Sequence, residues 1–359
     1  MSGMSGDLSD IVRVLVPVFA SFVVGMSLTP FLTHYLYKYK AWKKTPGKTA
    51  LDGEPAHGFN KLHDTREVRA PRMGGIVVWA SVLITIIGIA IVARLFPVAA
   101  ILKFDFLSRN QTWIPLATLL VGAFVGLIDD LYVIRPSGTG LHLSFRLFIV
   151  VLLSSFIGMW FWLKLGVTAV NIPFGSPFEI GWLIVPLFVL ISLALYASGV
   201  IDGIDGLSGG VFGSVFASYA IIAFAQNQID LAAFSATIVG GLLAFLWYNI
   251  PPARFYMTDT GTMALTLTIA TLAFMTDDLG GGVGIAVLPV IGALLAATVA
   301  SDVAQVISKK YFGAKLLRIA PLHHHFEAIG WSGHKIVMRY WVLSVVFAFL
   351  GVIIALIAV

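Results

Sequence analysis

Carboxylates and histidines are scarce in this chain, and the useful ones fall in short polar stretches between apolar runs. Asp129 and Asp130 directly follow the apolar segment Leu119 to Ile128. Adjacent carboxylates at a helix C-terminus oppose its macrodipole and repel one another, and a bound cation would relieve both costs. A solvated span end is the plainer alternative. Asp202 and Asp205 are three apart in Val200-Ile-Asp-Gly-Ile-Asp-Gly-Leu207, so on a helical turn they would face the same way. Gly203 and Gly206 would let a ligand approach the backbone. A tight Asp-Gly turn is the competing reading, and an EF-hand lacks its spacing and terminal glutamate.

Asp259 lies where Pro251 and Pro252 end one apolar run and Thr260 opens the next. It reads either as an N-cap or as a group that brings magnesium to a phosphate held at the helix N-terminus. His323, His324 and His325 occupy Ala320-Pro-Leu-His-His-His-Phe-Glu327. They lack the i, i+4 spacing of a His-Glu-x-x-His zinc helix, so phosphate contact is the expectation, beside a plain surface loop. Lys61, Arg66, Arg72 and Arg146 lie near the acidic motifs and would supply fixed positive charge for a phosphorylated substrate.

The elements that must position these groups are membrane helices. Only 11% of residues are charged, 58% are hydrophobic, and mean hydropathy is +0.94. Continuous apolar runs rather than alternating ones indicate helices, not barrel strands. The expected fold is therefore all-α: a polytopic integral membrane protein with about ten transmembrane helices, at roughly 11–37, 74–96, 113–131, 143–165, 181–200, 207–226, 231–250, 260–276, 284–308 and 338–358. Residues 1–359 read as a single membrane-embedded domain. The first run is longer than a signal-peptide core and is expected to be retained.

Most of the 23 basic residues, from Lys38 to Arg72 and again from Lys309 to Arg339, flank the odd-numbered loops. The positive-inside bias places those loops in the cytoplasm, at about 38–73, 132–142, 201–206, 251–259 and 309–337, with both termini outside. All the motifs above fall on that side. Asp277 and Asp278, beside the glycine-rich Gly280 to Gly284, fall on the other and are expected to be solvated. Cysteine is absent, which excludes disulfide and thiolate chemistry. The net charge of +5 sits in membrane-flanking loops, so no nucleic-acid partner is expected.

Taken together and in order, Asp52-Gly-Glu-Pro55, Met73-Gly-Gly75, Asp129-Asp130, Asp202-Gly-Ile-Asp205, Asp259-Thr-Gly261 and Pro321-Leu-His-His-His-Phe-Glu327 with Gly330-Trp331 resemble the polyprenyl-phosphate N-acetylhexosamine-1-phosphate transferase superfamily. Within it the likeness is greatest to the phospho-N-acetylmuramoyl-pentapeptide transferases. That resemblance implies magnesium (Mg2+) as cofactor, an active site on the cytoplasmic face of the bacterial inner (plasma) membrane, and homodimers among membrane lipids. The implied reaction moves phospho-MurNAc-pentapeptide from UDP-MurNAc-pentapeptide to undecaprenyl phosphate, giving lipid I and UMP.

By position, the resemblance makes Asp259 a magnesium ligand and Asp129 either a base or a second group organising the metal, with Asp130 its acidic neighbour. Asp202 and Asp205 would border the nucleoside, Asn249 would lie beside the metal, and His323, His324 and His325 would hold the donor. The chain departs from the pattern where Thr258 replaces a usual glycine, Arg72 a threonine, Gly199 an asparagine, and Thr298 a frequent glutamate. A sister transferase of GlcNAc-1-phosphate would share the acidic motifs. A transporter or lipid flippase would need mid-span charges instead.

Overall fold

The computed structural model describes residues 2–44, 47, 70–107, 111–135, 138 and 140–358. The Asp52-Gly-Glu-Pro motif, Lys61 and Arg66 lie outside them. Twelve helices carry the architecture: α1 (Ser2–Lys38), α2 (Ile76–Leu95), α3 (Trp113–Val133), α4 (Leu143–Leu165), α5 (Ile184–Ser198), α6 (Leu207–Ala225), α7 (Ile229–Asn249), α8 (Thr258–Met275), α9 (Gly284–Ile291), α10 (Ala293–Phe312), α11 (Leu322–Ala328) and α12 (Gly333–Ile357). The protein is an all-helical, polytopic membrane protein. Its only strands among the described residues are the two-residue β1 (Ala169–Val170) and β2 (Phe178–Glu179), paired antiparallel.

The ten expected spans meet two exceptions. Among the described residues eight helices are long and apolar enough to cross a membrane, and α9 with α10 makes a ninth that is bent by 71°. The break falls at Gly292, three residues after Pro289. The segment expected at 260–276 forms α8, which is not among those eight and is the innermost helix. From Thr260 to Met275 every residue is buried by protein, so lipid does not select its composition. Its threonines satisfy themselves by donating to the preceding turn: Thr266 Oγ1 to Thr262 O at 2.7 Å, Thr268 Oγ1 to Ala264 O at 2.7 Å and Thr271 Oγ1 to Leu267 O at 3.1 Å.

Helix α3 packs along α8, and α5, α2 and α6 also touch it. Small residues bring the two backbones together. A Cβ on Gly126 would lie 2.0 Å from the Asp259 carbonyl oxygen, and one on Gly122 would lie 2.8 Å from that of Met263. The chain directions are opposed, so the C-terminal turn of α3 meets the N-terminal turn of α8. The acidic pair of α3 is thereby brought to the electropositive end of another helix.

At the far end of α8, Asp277 is fully buried, contrary to the solvated position expected of it. Its Oδ1 accepts from the Asn171 N–H and its Oδ2 from the Ile285 N–H, both at 2.9 Å, so it ties the β1–β2 segment to the start of α9. Burial pushes the Asp277 carboxyl up to about 6, against those two hydrogen bonds. The native state then holds this proton more tightly than the unfolded chain does. The group's contribution to stability is complete below the ordinary aspartate range and is lost as pH rises through about 6. Thermal unfolding in detergent is expected to show a decline over that window that flattens in Asp277→Asn. Asp277→Ala, which strands two buried N–H groups, should lose about 2 kcal/mol or more.

Candidate active site

Asp130 sits at the meeting point of α3 and α8 with none of its surface exposed. Its Oδ1 accepts from Arg72 Nε at 3.0 Å and Nη2 at 2.8 Å. Its Oδ2 accepts from Thr258 Oγ1 at 2.5 Å, Thr260 Oγ1 at 2.6 Å and the Thr260 N–H at 3.0 Å. Five donors saturate the acceptor capacity of a carboxylate. The charge is thus compensated by a guanidinium and by the first turn of α8, which offsets the repulsion expected of an acidic pair at a helix end.

Asp259 is not the N-cap of α8. The helix starts at Thr258, with Met257 preceding it and making no side-chain cap. The orphan N–H groups of the first turn are satisfied from other elements: Thr258 N–H by Asp202 Oδ2 at 2.8 Å and Thr260 N–H by Asp130. Relieved of capping, the Asp259 side chain remains 24% exposed. Its Oδ2 lies 3.4 Å from Arg146 Nη1 and 3.8 Å from Arg72 Nη2.

Asp129 faces the same arginine, with Oδ2 3.4 Å from Arg146 Nη1, while its Oδ1 accepts the Leu141 N–H at 2.7 Å. Two carboxylates from different helices therefore converge on one cationic nitrogen. Such a pair calls for positive charge between its members. Among the described residues no group of three or more His, Asp or Glu side chains forms a protein cage for a metal. The donor set fits magnesium, which takes one or two carboxylates and completes its shell with water and substrate phosphate.

The remaining expected residues form a second arc beside the first. Asp202 lies just after a 3-10 turn, Gly199–Ile201, and Asp205 follows in a turn rather than on one helix face. Both nevertheless reach the segment before α8. Asp202 Oδ1 accepts from Ser208 Oγ at 2.7 Å, in addition to its bond to Thr258, and Asp205 Oδ2 accepts the Ala253 N–H at 3.1 Å. Buried Asn249 accepts the Gly206 N–H at 2.9 Å and donates to Phe255 O at 2.8 Å, so its amide clips the two turns together. His323 and His324 crowd Gly203: a Cβ there would lie 2.6 Å from one Nε2 and 2.5 Å from the other. His324 Nδ1 pairs with Glu327 Oε2 at 2.7 Å, and His325 Nδ1 accepts the Arg318 N–H at 3.2 Å.

The sequence as a whole is similar to named relatives. The profile of Glycosyl transferase family 4 matches residues 112–277, which contain both acidic helix ends. The phospho-N-acetylmuramoyl-pentapeptide-transferase of Geobacillus thermodenitrificans is 31% identical over 346 residues, covering 94% of this chain and 97% of its own. That of Shouchella clausii is 33% identical over 341 residues, covering 92% and 94%. The chain belongs to the phospho-N-acetylmuramoyl-pentapeptide-transferase family. It is an enzyme, a phosphoglycosyl transferase, built into the membrane.

Thr258 and Thr260 were not singled out by residue type, since threonine in an apolar helix carries no chemical signal of its own. Their importance comes from Asp130. Thr258 adopts φ +55°, the left-handed region that favours glycine, which accounts for the glycine expected there from the family pattern. Threonine is retained in that strained position by its hydroxyl, which donates to Asp130 and accepts the Met73 N–H at 3.1 Å. Thr258→Ala keeps the strain and loses both bonds, whereas Thr258→Gly loses the bonds and relieves the strain. The alanine variant is expected to be less stable than the glycine variant by about 1 kcal/mol in detergent unfolding. Equal or reversed stabilities would contradict this account of the turn.

Proposed function

We propose that this transferase moves phospho-MurNAc-pentapeptide from its UDP carrier to undecaprenyl phosphate, giving lipid I and UMP for peptidoglycan synthesis. The reading places the reaction on the cytoplasmic face of the bacterial inner membrane and makes it magnesium-dependent. The observation that carries it is the convergence of Asp129 and Asp259 on Arg146 at helix ends, where a soluble diphosphate can meet a lipid-borne phosphate. The names of the relatives support the substrate class.

In chemical terms, an oxygen of the lipid phosphate forms a bond to the phosphorus that bears the sugar. The bond from that phosphorus to the bridging oxygen breaks, and UMP leaves with the electron pair. A phosphate monoester is largely ionised at neutral pH, so the attacking oxygen needs little deprotonation. Magnesium, when bound, neutralises the diphosphate charge that would repel the acceptor.

Each residue group then has its own part. Asp259 and Asp129 would hold the cation, and Arg146 and Arg72 would align phosphate oxygens through fixed N–H donors. Asp130 acts as a positioning group, because its oxygens are already filled. Asp202 and Asp205 brace the segment that leads into α8, and His323, His324 and His325 border the donor.

The test is UMP release by purified protein with undecaprenyl phosphate and magnesium, offering UDP-MurNAc-pentapeptide and UDP-GlcNAc separately. Release is expected with the muramoyl donor alone. Asp259→Asn and Asp129→Asn should each lower kcat by about a hundredfold or more. Release with UDP-GlcNAc alone would move the chain to the sister sugar-phosphate transferases. Full activity in Asp259→Asn would remove that residue from the reaction.

A further inference from the structure

Helix α12 carries a stripe that neither the packing of the bundle nor the acidic cluster uses. Lys335 and Arg339 stand one turn apart at its polar end. Below them Met338, Val342 and Leu343, together with Arg339, line an open groove of about 370 Å3. Met338 and Val342 are more than half exposed.

The two cations are gathered on one indole. Arg339 Cζ lies 4.2 Å and Lys335 Nζ 5.0 Å from the ring centroid of Trp331, which itself stacks on Phe326 with centroids 4.6 Å apart and planes at 15°. Neither side chain makes an ion pair or a hydrogen bond among the described residues. A basic residue that merely anchors a helix extends freely toward water. Here two like charges are held together, with their N–H donors left unused, which calls for an anion that touches both.

We propose that this stripe is a binding site for an anionic phospholipid of the bilayer, its phosphate at Lys335 and Arg339 and one acyl chain along Met338, Val342 and Leu343. The order of the surface, charge at the polar end and apolar groove beneath, matches the order of a lipid. Guanidinium and ammonium groups both suit a phosphate, and surface basic residues draw anionic lipid. The groove lining covers only about 8 Å of helix, enough for the upper part of one acyl chain. It shows no provision for a long isoprenoid, which argues for a bilayer lipid rather than the acceptor. Because Phe326 belongs to α11, the site also abuts the helix that bears His323 and His324.

The test is lipid retention by the full-length protein in native mass spectrometry, after exchange into detergent containing phosphatidylglycerol, phosphatidylcholine or undecaprenyl phosphate. It needs no turnover, so it is independent of the proposed reaction. Wild type is expected to retain phosphatidylglycerol in preference to phosphatidylcholine. A Lys335→Gln, Arg339→Gln double variant should lose roughly tenfold or more of that retention while unfolding at the same temperature. Val342→Trp, which fills the groove and leaves both charges, should lose it too. Equal retention of the two phospholipids, unchanged retention in both variants, or preferential retention of undecaprenyl phosphate at this stripe would each overturn the proposal.

Discussion

The site depends on one buried carboxylate. Asp130 is placed in the protein interior by α3, and Arg72 with the first turn of α8 supplies its hydrogen-bond partners there. Desolvating an unpaired carboxylate would cost several kcal/mol, so the positions of α3, α8 and the Arg72 segment are linked through this group. The backbone reinforces the junction. Gly74 N–H donates to Tyr256 O at 2.7 Å and Gly75 N–H to Met257 O at 3.1 Å, running the segment after Arg72 alongside the entrance to α8. Asp129 and Asp259 are positioned as a consequence: each is the sequence neighbour, or next neighbour, of a residue that the Asp130 network holds.

This division explains why two adjacent aspartates differ so much. Asp130 spends its acceptors on the protein, whereas Asp129 uses one oxygen on the Leu141 N–H and presents the other to Arg146. Asp202 and Asn249 follow the same logic on the next turn, joining backbone segments rather than pointing into open space. Buried polar groups near a membrane must be satisfied internally, and here the same hydrogen bonds that satisfy them hold the reactive pair.

Much of this was legible in the sequence, and the gaps have identifiable causes. Runs of about 20 apolar residues made most helices plain, because lipid imposes that length and composition. Helix α8 obeyed the rule less well since its solvent is protein, and the α9–α10 bend depends on local breakers within an apolar run. The acidic and histidine motifs were visible because charge is rare in such a chain. Their partners were not. Nothing in Thr260 distinguishes it, and Thr258 stands out only as a departure from the family pattern, until Asp130 is brought beside them by a contact over more than a hundred residues. Asp277 was misjudged for a related reason: a short polar loop reads as solvated, but three segments close over it.

The central claim is that Asp129 and Asp259 form the cation-facing pair while Asp130 is internal. Its most direct test is manganese binding, followed by electron paramagnetic resonance on purified protein without substrates and displaced by magnesium. The account predicts one class of site, weakened about tenfold or more, roughly 1.4 kcal/mol, in both Asp129→Asn and Asp259→Asn when these variants remain folded. Manganese binding to Asp259→Asn with the affinity of the wild type would contradict it.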